Sequence, residues 1–210
     1  MVTEKAVKVK ICGITNAADA RSALDSGCDA LGFVFYKKSP RYITPGNAKS
    51  ILRLLPRGVM RVGVFVNARE KTIRAIDRMC RFDMLQFHGS ESVAFCNRFR
   101  KKRIIKAFRI KDARSLKGVQ RYRVFAYLFD TFTASKPGGT GKTFDWRFLR
   151  RLTTLRRPIF LSGGLNARNV RRAISVVKPH WVDVSSSVEL SAGKKHHGKV
   201  RGFIRAAKAQ

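Results

Sequence analysis

Short apolar runs of strand length alternate with longer segments of helical period from one end of the chain to the other. The strand-like runs cover residues 7–12, 30–35, 61–66, 84–87, 103–108, 124–129, 158–161 and 181–184. Between and after them, helices are predicted over 16–26, 45–54, 69–79, 91–99, 145–155, 167–176 and 199–207, with a weaker one over 113–120. Runs that are nearly continuous in apolar residues suit strands covered on both faces, since a half-solvated strand would alternate. Eight strand–helix units spaced by about 25 residues predict parallel strands joined by right-handed crossovers. An open doubly wound sheet favours fewer strands and a glycine-rich first turn. The first turn here is Cys12-Gly13-Ile14-Thr15. The pattern therefore predicts an α/β fold, a (β/α)8 TIM barrel filling residues 1–210 as a single domain, with no linker or low-complexity segment.

In such a barrel, chemistry sits at the carboxyl ends of the strands. Those ends hold Cys12, Arg41 in the loop after the second strand, Asn67, His88, Asp130, Gly163-Gly164, and Asp183 followed by Ser185 and Ser186. Asp130 alone reads as a turn or cap aspartate, and Cys12 alone as a small buried hydrophobe. Several polar strand ends in one chain point instead to a shared site. The set has no metal-ligand spacing and no nucleotide fingerprint. It suits acid/base chemistry on a small anion, with no cofactor and no metal. The turns after strands seven and eight are where barrels hold phosphate on bare backbone N–H groups. Ser162-Gly163-Gly164-Leu165-Asn166 and Val184-Ser185-Ser186-Ser187 have the small residues for it.

Composition alters one part of this picture. Hydrophobic residues at 44% are ordinary for a globule, and no run is long enough to cross a membrane. The start has no secretory pattern, and Cys12, Cys28, Cys80 and Cys96 form no CxxC pair. A reduced, cytoplasmic protein is expected, with the last three cysteines as packing residues. Charge is the anomaly: 45 Lys and Arg against 13 Asp and Glu give +32. The excess falls on predicted helix exteriors, as at Arg69, Lys71, Arg74 and Arg78, at Arg147, Arg150 and Arg151, and at Arg168, Arg171 and Arg172. Such a field attracts nucleic acid nonspecifically and, by self-repulsion, favours a monomer. His196 and His197 read as solvated surface beside Lys194 and Lys195.

A series of blocks carries a resemblance. They are Lys10-Ile11-Cys12-Gly13-Ile14-Thr15, Gly32-Phe33-Val34-Phe35 with Ser39-Pro40-Arg41, Val62-Gly63-Val64-Phe65-Val66-Asn67, and Leu85-Gln86-Phe87-His88-Gly89. Further along come Gly138-Gly139-Thr140-Gly141-Lys142-Thr143-Phe144-Asp145-Trp146, Leu161-Ser162-Gly163-Gly164-Leu165 and Asp183-Val184-Ser185-Ser186. Together and in this order they closely resemble phosphoribosylanthranilate isomerase of tryptophan biosynthesis. The resemblance implies a cofactor-free Amadori rearrangement of a phosphosugar anthranilate. It implies Asp130 as general acid on the furanose ring oxygen and Cys12 as general base on the C2′ proton. It implies Arg41 on the anthranilate carboxylate, and His88, Asp183, Gly163, Gly164, Ser185 and Ser186 at the substrate. His88 is expected to act as a hydrogen-bonding support, the two proton-transfer roles being filled. The positive field is expected to lower the Cys12 thiol toward neutrality.

The chain departs from the family at Ser187, where a glycine is usual, and in Ala192-Gly193-Lys194-Lys195-His196. A glycine needed there for positive φ or close approach would make Ser187 a weakness in phosphate binding. Acids at motif positions (Asp130, Asp145, Asp183, Glu189) are kept while helix exteriors are nearly all basic, as if surface acids had been replaced. Two other readings compete: a cationic barrel that coats nucleic acid with catalysis reduced, and a neighbouring phosphosugar enzyme.

Overall fold

The structure, a computed structural model, describes residues 6–130, 146 and 157–209. The predicted helix over 145–155, the glycine loop before it and the basic cluster Arg147, Arg150 and Arg151 lie outside the described residues, except for Trp146, which is buried.

Eight parallel strands close into a barrel in sequence order. They are β1 (Lys8–Cys12), β2 (Ala30–Val34), β3 (Met60–Phe65), β4 (Met84–Phe87), β5 (Arg103–Arg109), β6 (Ala126–Asp130), β7 (Ile159–Ser162) and β8 (Trp181–Val184). The ring shuts where β1 pairs with β8, with Lys10 opposite Asp183. The helices are α1 (Ala17–Asp25), α2 (Pro45–Leu52), α3 (Glu70–Cys80), α4 (Val93–Asn97), α5 (Val170–Val177) and α6 (His197–Lys208). Local signals start several of them. The Asn16 side chain accepts from the Asp19 amide at α1, and Thr44 caps α2 ahead of Pro45 in its first turn.

Side chains alternate along each strand, so the sheet has two apolar faces. One set, including Val62, Val64, Ile105, Ala107, Leu128 and Phe160, fills the barrel. The other, including Phe33, Phe65, Phe87 and Phe129, packs outward beneath the helices. Phe87 meets Phe99 edge-on at 5.2 Å, and such pairs add about 0.5–1.5 kcal/mol beyond area burial. At the amino-terminal end of the strands Phe160 stacks on Trp181 at 4.8 Å, and Lys8 sits over the Trp181 ring at 5.3 Å.

The helical layer departs from strict alternation. The weaker helix expected over 113–120 is two 3-10 turns, Ala113–Leu116 and Val119–Arg121. Asp112 and Ser115 close a reciprocal capping box that satisfies one short turn and does not propagate. The helix expected over 91–99 shrinks to Val93–Asn97, because Glu91 turns inward to bond Lys106 and the backbone amides of Asn67 and Gly89. After β8 an unforeseen hairpin forms from β9 (Glu189–Ser191) and β10 (Lys194–Lys195). No helix among the described residues is long and apolar enough to cross a membrane.

Candidate active site

A cavity of about 340 Å³ opens at the carboxyl ends of the strands. Cys12, Arg41, His88 and Asp130 line it together with Asp183, Gly163, Gly164, Ser185 and Ser186, so the residues that the resemblance places at the site border one space. Asn67 does not. It takes positive φ at 49°, and its side-chain oxygen accepts from the Ser90 amide, which makes it a turn residue.

Cys12 ends β1 and faces inward, buried. The turn after it bends through Gly13 at φ 80°, where a Cβ would stand 2.7 Å from Arg41 Cδ, so only glycine admits both the backbone and the arginine. The Cys12 carbonyl accepts from Ser185 Oγ at 3.0 Å and Lys195 Nζ at 2.6 Å. Burial pushes the thiol above its ordinary pKa and Asp183 adds to the rise, while Lys10 and Lys195 oppose it. The downward shift expected from the positive field is therefore corrected: local burial outweighs charges spread over a distant, solvated exterior.

Asp130 ends β6, its side chain one-fifth exposed, with Oδ2 at 3.3 Å from His88 Nε2. His88 Nδ1 lies 2.8 Å from Gln86 Nε2. The imidazole is thus flanked by an amide at Nδ1 and a carboxylate at Nε2. Gln86 is fully buried, and its Oε1 has no hydrogen-bond partner in the structure.

Arg41 is engaged from within the protein. Its Nε and one terminal nitrogen reach the two Glu189 oxygens at 2.8 and 2.7 Å, and this pairing raises the guanidinium pKa. Lys195 Nζ binds the same carboxylate at 2.9 Å. Burial opposes it, but these two cations hold the Glu189 carboxyl below its ordinary range. Asp183 is buried and paired with the fully buried Lys10 at 2.8 Å.

The two turns proposed for phosphate border the cavity, with Gly163 and Gly164 at φ 91° and 64°. Ser187 is not among the residues with positive φ; it sits in the 3-10 turn Ser186–Val188, and its hydroxyl donates to the Leu165 carbonyl. The backbone at this position does not call for glycine, so serine is accommodated without strain. His196 caps α6, accepting from the Lys199 amide, and His197 reaches Asp19 at 3.0 Å while half exposed. Both are more engaged than free surface. Cys28, Cys80 and Cys96 are buried, and burial pushes their thiols up to about 12, 11 and 11.

Sequence reading missed Lys10, Gln86, Arg109 and Lys195. Two of these had a signal. Lys10 stands two residues before Cys12 and Gln86 two before His88, so a period of two puts each on its neighbour's face. Arg109 lies opposite Asp130 in the ladder and lines the cavity. Lys195 belongs to the unforeseen hairpin and carried no such signal.

Residues 9–206 match the family model for N-(5′-phosphoribosyl)anthranilate (PRA) isomerase. The N-(5′-phosphoribosyl)anthranilate isomerase of Trichlorobacter lovleyi is 46% identical over 202 residues, covering 96% of this chain and 98% of the relative. The crystal structure of the Thermotoga maritima isomerase superposes with TM-score 0.91 at 45% identity, covering 97% of this chain and 100% of that one. A further structure of that protein concerns monomers generated from its dimeric form. An isomerase in complex with reduced 1-(o-carboxyphenylamino)-1-deoxyribulose 5-phosphate gives TM-score 0.88 at 42% identity, again covering 97% of this chain and 100% of that one. On the closed ring, the shared cavity and these matches, the chain belongs to the phosphoribosylanthranilate isomerase family.

Proposed function

We propose that this cavity carries out the aldose-to-ketose rearrangement of N-(5′-phosphoribosyl)anthranilate to 1-(o-carboxyphenylamino)-1-deoxyribulose 5-phosphate, with Asp130 as acid and Cys12 as base. The observation that carries this assignment is their placement on one cavity, from β6 and β1, with the turns after β7 and β8 on the same rim. Protonated Asp130 delivers its proton to the ribose ring oxygen; the ring opens to an iminium. The Cys12 thiolate then takes the C2′ proton, the C–H pair moves into a carbon–carbon double bond, and the resulting enolamine tautomerises to the ketone. His88, held at Nδ1 by Gln86, keeps Nε2 against Asp130 and so orients the acid.

Backbone amides at Gly163-Gly164 and Ser185-Ser186 bind the phosphate in this reading. Arg41 takes the anthranilate carboxylate by sharing or exchanging its Glu189 partner, a swap between like anions on one planar fork. The chain's own side chains supply every proton transfer, with no cofactor.

Loss of substrate fluorescence on adding protein measures the reaction. Asp130→Asn and Cys12→Ser each lower kcat by about 100-fold or more, and activity retained in both variants would overturn the assignment.

The chain works as a cytoplasmic monomer in this reading, since like charges oppose self-association; light scattering that gave a dimer at physiological salt would refute it. The cationic exterior also gives it a salt-dependent hold on nucleic acid, independent of the cavity. Binding that survived high salt would argue against a purely electrostatic origin.

A further inference from the structure

We infer that Lys10 is a positioning residue for Cys12: its ammonium, pinned beside the thiol by Asp183, supplies the counter-charge that lets the buried sulfur act as a base. The inference rests on reading Cys12 as the base, and it adds a residue that acts through that sulfur without exchanging a proton itself.

A lysine on a barrel's inner face needs a reason. Lys10 is completely buried, so its chain does not reach solvent to spare the charge. The apolar cluster inside the barrel includes Val, Ile, Leu, Met and Phe side chains, and one of these would fill the volume more cheaply. Nor is the ion pair required for stability, since a matched apolar pair commonly serves as well as a buried salt bridge. What the pair does have is a neighbour. Lys10 and Cys12 share the inward face of β1, and both lie against the bare backbone of Gly32 on β2, which is in register with Cys12. A Cβ on Gly32 would stand 2.8 Å from Cys12 Sγ and 3.1 Å from Lys10 Cε. Glycine at that point leaves the space in which the two side chains sit together.

Charge bookkeeping around the sulfur separates Lys10 from the other cations. Lys195, from β10, aims at the Cys12 carbonyl and has Glu189 as its own partner. Arg41, from the loop after β2, is held on the same Glu189. Asp183, from β8, faces Lys10 and disfavours the thiolate. Burial is the largest force keeping the thiol protonated, and Lys10 is the largest opposing one. Asp183 therefore has two effects: it makes the buried ammonium tolerable, and it limits how far that ammonium can draw the thiol down. Lys10 itself stays charged, because Asp183 and Cys12 together outweigh its burial. Through the cycle the proton moves from substrate C2′ to sulfur and leaves to solvent, while the Lys10 ammonium neither gains nor loses one.

The test is the pH dependence of iodoacetamide alkylation at Cys12, followed by peptide mass spectrometry, beside the pH profile of kcat/KM, in the full chain. Lys10→Met moves the alkylation midpoint upward by about one unit or more and lowers kcat at pH 7 about tenfold, with KM nearly unchanged. Lys10→Arg retains a midpoint close to that of the parent. If Lys10→Met does not fold, the matched variant Lys10→Met/Asp183→Leu is read instead. It removes both charges and moves the midpoint upward by less than the single change. An unmoved alkylation midpoint in whichever variant folds would overturn the inference and leave Lys10 a structural ion pair. Activity persisting in Cys12→Ser while Lys10→Met still moves the alkylation midpoint would sink the base assignment and keep the electrostatic link.

Discussion

Lys10, Lys106 and Lys195 lie inside the protein, each with a carboxylate oxygen within 2.9 Å. On the outside, Arg74 on α3 and Arg98 just past α4 divide the single carboxylate of Glu70. The contrast shows which acids a strongly basic chain keeps. In the interior an unpaired ammonium is prohibitive, so Asp183, Glu91 and Glu189 are held in place by their partners. At the surface, water and salt do the neutralising, and an acid there can be lost at little cost. Nearly all the described acids make a named bond: Asp29 and Asp83, for example, accept from the backbone amides of Val9 and Arg61. The cavity lining carries both signs, Asp130 and Asp183 beside Arg41 and Arg109.

The severest challenge to this contrast is Glu91→Gln. It leaves Lys106 buried against a neutral amide and loosens the turns at Asn67 and Gly89. Denaturant melts should show a loss of about 3–5 kcal/mol, most of it recovered in Glu91→Gln/Lys106→Met. A loss below about 1 kcal/mol would erase the distinction between inner and outer pairs.

Glu189 gives the next effect, through pH. Its folded pKa lies below its ordinary value of 4.5, so its contribution is present above that value and is lost as pH falls through the folded pKa. Stability measured between about pH 5 and pH 2 should fall more steeply in the parent than in Glu189→Gln, and parallel curves would contradict the assignment. Added salt should then raise the melting temperature by a few degrees, because it screens repulsion among exposed cations, and by equal amounts in the parent and Glu91→Gln. A salt response that differed between the two would mean the inner pair is not shielded. Least of all, Glu70→Gln, half of an exposed pair, should leave the denaturation midpoint where it was.

The barrel and the rim of its site were legible because both follow from strand periodicity. Runs such as 61–66 announce strands, and parallel strands send all their last residues to one end, which brought Cys12 and Asp130 together before any coordinates. What resisted reading depends on contacts distant in sequence. Lys10 looks like one more cation in a basic chain until Asp183, 173 residues away, is seen beside it. The stretch 113–120 has helical composition, yet Lys117 turns extended and Gly118 takes φ 83°, which ends the first turn. The φ half of the doubt about Ser187 needed the folded backbone, and the Cys12 thiol turned on local burial, which total charge does not report.

The Phe160–Trp181 stack under Lys8 has a consequence for traffic. With aromatic rings plugging the far end, the barrel is a cup with one doorway, and whatever enters headfirst must back out the same way. The ketose formed in the cavity at the open end blocks the next aldose until it departs, so product should inhibit in direct competition with substrate.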